Sequence, residues 1–159
     1  MTDVIGTISA CLDLADRIAE LYKRIKGAEK RLETIATSVS RLSSILRSLE
    51  DVLKPDLKAG LTAPRLPNDG LRNSLIAVKD CKDTFNAIWR ELDEVAKHQK
   101  VKRSIQYGEA IKLDWAEKTF FIFREAKVAE YNDRLRTSKE DVMLSLLVNQ
   151  LWLAKQPAQ

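Results

Sequence analysis

Leu32, Ile35, Val39, Leu42, Leu46, Leu49 and Leu53 follow one another in strictly alternating steps of three and four residues. A strand cannot bury such a series, because its side chains change face at every residue and each odd step would turn an apolar group to water. A helix places all seven on one side as a heptad seam, and such a seam needs other helices to cover it. The remaining sequence supplies them. Val4, Ile8, Leu12, Ala15, Ile18, Tyr22 and Ile25 recur at helical spacing, with Asp13, Asp16, Arg17 and Glu20 on the other face. Leu71, Leu75, Val78, Cys81, Phe85, Ile88, Leu92 and Val95 repeat the pattern further on.

Local chemistry marks the boundaries. Gly27 suits the end of the first helix, since glycine accepts the left-handed conformation cheaply. Pro55 is expected to stop the second, leaving residues 55–69 as an irregular crossing loop in which Asn68 or Asp69 caps the third helix. The third helix is expected to end between Lys97 and Tyr107, with Gly108 as its latest stop. Asp114 and Glu117 form a capping box around Trp115, opening a fourth helix through Phe120, Phe123, Val128, Tyr131 and Leu135, with Val142, Leu146 and Leu153 carrying it to the tail. Ser138 and Asp141 offer a second box that would split this last helix in two at Thr137-Ser138. The expected fold is therefore all-α, an up-down bundle of four long helices with that optional break. It forms one domain over residues 1–155, with a frayed tail at 156–159. Ile8, Leu12, Ile35, Leu42, Leu49, Val78, Phe85 and Leu92 are the expected core.

The same residues say little for catalysis. His98 is the single histidine and stands among lysines, the five glycines are isolated rather than grouped as a phosphate loop, and most carboxylates fall opposite the apolar stripes. Neither an enzyme, nor a metal centre, nor a cofactor is expected. Cys11 and Cys81, on or beside apolar stripes, read as small hydrophobes in a reducing, intracellular setting. The acidic first segment does not resemble a secretory signal, and no stretch has the length of a membrane span. Trp89, Trp115 and Trp152 read mainly as core, while the Phe120–Phe123 run circles a helix and should meet another element or a partner.

Net charge is +4, and its distribution matters more than its size. The first 53 residues and the last 56 are each balanced, so the excess lies between residues 54 and 103. In an up-down bundle the turns between helices one and two and between three and four share an end. That topology would bring Lys23, Arg24, Lys26, Lys30 and Arg31 together with Lys97, Lys100, Lys102 and Arg103. The functional expectation is contact with an anionic surface such as the cytoplasmic leaflet. Complementing helix C-termini is the structural reading of the same residues. The helices lack a basic face interleaved with aromatics, so nucleic acid is not an expected partner.

Four segments taken together carry a resemblance. They are the amphipathic start VIGTISACLDLADRIAELYKRI, the Leu/Ser-rich helix ETIATSVSRLSSILRSLEDVL, the Cys-bearing SLIAVKDCKDTFNAIWREL, and LDWAEKTFFIF leading to RLRTSKEDVMLSLL. In this order and spacing they resemble the fungal HeLo-like group, the N-terminal helical domains of fungal NACHT-type (STAND) immune receptors and incompatibility proteins. The resemblance implies a bundle akin to the four-helix killer domain of the necroptosis pseudokinase and to plant resistance-protein bundles. It implies a cytoplasmic signalling or cell-death domain that pairs with itself or a related helical domain and is recruited to the plasma membrane. An adaptor that never touches lipid is the alternative. Val4, Ile5, Ile8 and Leu12 would form the interaction face of the leading helix. Asp3, Asp13, Asp16 and Glu20 make that helix a poor spontaneous inserter.

Overall fold

The computed structural model describes residues 2–24, 30–58, 68–105 and 125–155. They form α1 (Thr2–Arg24), α2 (Lys30–Lys58), α3 (Asn68–Ile105) and α4 (Glu125–Ala154). Among the described residues all regular structure is helical, and the four helices pack into a bundle.

Side-chain contacts fix the directions. Cys11 meets the backbone of Val78, and the Arg17 guanidinium lies 6.0 Å from the centre of the Trp89 ring, so α1 and α3 run parallel. Asn149 reaches Ser74 and Lys127 reaches Glu91, so α3 and α4 run antiparallel. The main packed pairs are α1 with α2, α1 with α3, α3 with α4 and α2 with α4. Consecutive helices are neighbours in the simplest up-down bundle, but here α2 and α3 stand on a diagonal.

The seam explains the interior. Every one of its seven residues is at most 3% exposed, and Leu42, Leu46 and Leu49 are at 0%. Val4, Ile8, Cys11, Ala15 and Ile18 of α1 and Val128, Tyr131, Leu135 and Val142 of α4, the two neighbours of α2, share one core with them, and Val78, Cys81, Phe85, Ile88 and Leu92 complete it from α3 on the diagonal. Of the expected core only Leu12 falls short, being partly buried at the core's edge. Serines do not interrupt α2, because the hydroxyls of Ser43, Ser44 and Ser48 each donate to the carbonyl four residues earlier. Cys11 and Cys81 are fully buried at the α1/α3 contact. The Cys11 thiol lies 3.5 Å from the Val78 carbonyl as a weak donor, while the neighbouring Cys11 sulfur and burial push the Cys81 thiol well above its ordinary range.

Two expected breaks are corrected. Pro55 does not stop α2, which continues to Lys58. A proline near the last turn removes one ladder bond, and only three helical residues follow it, so the preceding seam carries the helix through. Thr137-Ser138 does not split α4, which runs unbroken from Glu125 to Ala154. Ser138 is 4% exposed, facing the bundle as an interior position, so its packing outweighs its capping preference. The observed end of α3 at Ile105 lies within the expected interval. Gly27, Gly108, the Asp114–Glu117 box, Trp115 and the Phe120–Phe123 run lie outside the described residues.

Candidate functional site

The expected basic end is partly described. Lys23 and Arg24 are exposed on the last turn of α1, and Lys97 is exposed on α3. Arg24 and Asp93 line one cleft with Arg17, Glu20, Leu21 and Trp89, which brings the α1 and α3 portions of the cluster to the same end. Two of these three cations are paired: Arg24 with Glu20 at 3.2 Å and Lys97 with Asp93 at 3.0 Å. Lys30 and Arg31 fall in the first turn of α2, and Lys100, Lys102 and Arg103 in the last turns of α3. The side chains of these five, and Lys26 altogether, lie outside the described residues.

The face expected to make contacts on α1 is occupied by the bundle itself. Val4 is 3% and Ile8 0% exposed, and Ile5 and Leu12 are partly buried beside them. Exposed Asp13, Asp16 and Glu20 face outward. Val4 and Ile8 can meet another molecule only if α1 leaves its place, while Ile5 and Leu12 are only partly covered.

The apolar surface that is open lies elsewhere. On α4, Val142 and Asn149 are buried and Leu146 and Leu153 partly so, yet Met143, Leu144, Leu147, Val148, Leu151 and Trp152 are 40–62% exposed. Ile76 of α3, 54% exposed, stands beside them across a groove of about 240 Å³ lined by Gly70, Ala77, Leu144, Val148 and Asn149 among others. Periodicity through Val142, Leu146 and Leu153 identifies only the inward face. The missed signal is the density of VMLSLLVNQLWLA, where three polar residues in the run cannot supply a polar face.

Two polar links hold this helix, the first of them buried. Ser74 donates to the Gly70 carbonyl at 2.8 Å and accepts the Asn149 amide at 3.1 Å, leaving Asn149 Oδ1 without a partner. Towards the other end, Lys127 Nζ lies 2.6 Å from Glu91 Oε1, and Glu91 Oε2 is buried and unpaired. Burial, and then the adjacent Glu91 carboxylate, push the Tyr131 phenol above its ordinary value. A polar groove between α3 and α4 gathers Asp80, Asp83, Asp133 and Asp141. Among the described residues no His, Cys, Asp and Glu grouping has the arrangement of a metal site, and no helix is long and apolar enough to cross a membrane. No known family, curated protein or solved structure matches the chain.

Proposed function

We propose that this chain is a non-enzymatic helical signalling or cell-death effector domain of the HeLo-like kind, acting by self-association and, through its basic end, at anionic membranes. The observation that carries this reading is the open apolar face of α4, because a surface of that kind marks an interaction site rather than ordinary exposure. Sedimentation velocity over a rising concentration series tests it. The sedimentation coefficient should climb with concentration, and expression in yeast should slow growth. A chain that stays monomeric throughout, with no effect on growth, would overturn the reading.

One observation favours the adaptor reading without lipid contact: Arg24 and Lys97 already have carboxylate partners. Co-sedimentation with acidic liposomes separates the two. Under the membrane reading the wild type pellets with vesicles, raised salt weakens it, and Lys26→Glu, Lys30→Glu, Lys100→Glu and Lys102→Glu combined abolish it without lowering the melting temperature. Equal behaviour of wild type and variant would leave the adaptor.

A further inference from the structure

The exposed residues of α4 are arranged about a midpoint. Inverting the helix between Leu147 and Val148 places Met143 on Trp152, Leu144 on Leu151 and Leu147 on Val148. The same inversion places Glu140 on Lys155, with Asp141 one residue away. All three charged residues are exposed. The strip is thus apolar through its centre, acidic at one end and basic at the other.

We infer that the occupant of this face is the α4 face of a second copy, packed antiparallel about a twofold axis near Leu147 and Val148. This rests on the self-association proposed above and names its surface. A twofold interface uses one patch twice, so the patch must complement its own inverted image. Here inversion lays apolar on apolar and brings Lys155 of each copy to Glu140 and Asp141 of the other. A parallel pairing in register would instead set Lys155 beside Lys155 and the acids beside the acids. The area also suffices: the seven exposed side chains, Ile76 included, present on the order of 700 Å², close to the ~800 Å² that each partner gives to a standard interface. That exceeds the roughly 300–600 Å² of the largest patch on a typical monomer. The α1 face offers no such surface while Val4 and Ile8 remain buried.

Charge-reversed chains, mixed in solution, test the geometry. Lys155→Glu makes one chain acidic at both ends of the strip, and Glu140→Lys with Asp141→Lys makes another basic at both ends. Each variant alone should dimerise at least about tenfold more weakly than wild type, because both symmetry-related contacts turn repulsive. An equimolar mixture should recover association, since both contacts between unlike chains are then attractive. Circular dichroism should show all three proteins equally helical. A wild type that associates while the variants match it, alone and mixed, would overturn the α4 pairing and leave self-association standing on another surface. A monomeric wild type would overturn both, and a monomer that pellets with vesicles and loses this on Leu147→Glu would assign the strip to lipid.

Discussion

The seam of α2 and the second half of α4 are both rich in leucine, yet the protein treats them oppositely. Leu42, Leu46 and Leu49 are completely buried, whereas Leu144, Leu147 and Leu151 are 62%, 52% and 60% exposed. The difference is one of phase. In α2 every apolar residue of the seam falls on one side, and neighbouring positions carry Ser, Arg, Glu and Asp. In α4 apolar residues fill the inward positions and then continue around the outside. Leucine content therefore says how much apolar surface a helix owns, while phase against the bundle decides how much of it the fold covers.

The sharpest break of this comparison is a pair of matched substitutions. Leu42→Asp should unfold the domain, because an unpaired buried carboxylate costs several kcal/mol against a total stability of about 5–15 kcal/mol. At concentrations where the chain is monomeric, Leu147→Asp should shift stability by no more than about 0.5 kcal/mol, the range of ordinary surface changes. Thermal melts followed by circular dichroism decide it, and equal losses would mean that the α4 strip is interior. The inward face of α4 can be probed next. Ser74→Ala removes the acceptor of the Asn149 amide, whose oxygen already lacks a partner, and should cost about 1–3 kcal/mol. Adding Asn149→Leu should return much of that loss, since two apolar groups leave nothing unsatisfied.

A smaller effect concerns the first half of α4. The folded Tyr131 phenol titrates above the ordinary 10.0, chiefly through burial. Its contribution is therefore complete below pH 10 and disappears as pH rises through the folded value. The wild-type melting temperature should drop more steeply above pH 10 than that of Tyr131→Phe, which has no such proton to lose. Parallel curves would show that the phenol keeps contact with water.

Most of the fold was legible because strong periodicity and burial coincide. The α2 seam, the α1 stripe and the α3 stripe were each readable from spacing alone, and the directions of the helices followed from their connections. The diagonal placement of α2 and α3 was not, since both ring orders of an up-down bundle bury the same stripes. Pro55 and Thr137-Ser138 misled for a common reason: local preferences of a residue or two compete with a long packed helix and lose. The basic end was visible as composition, and the four-residue spacing of Glu20 from Arg24 and of Asp93 from Lys97 already places each pair side by side on its helix, so counting cations alone overstated the free charge there. The α4 strip was hidden because an inward phase could be fitted through Val142, Leu146 and Leu153, and a satisfactory fit leaves the other apolar residues unasked about.

Cys11 and Cys81 give the bundle an internal clock. Both sulfurs are sealed where α1 meets α3, so a thiol reagent reaches them only after those helices have parted. When closure is fast relative to labelling, the alkylation rate reports the equilibrium cost of opening this contact. The native thiols thus time any departure of α1 without an added probe, and they would register whether a membrane or a second chain hastens it.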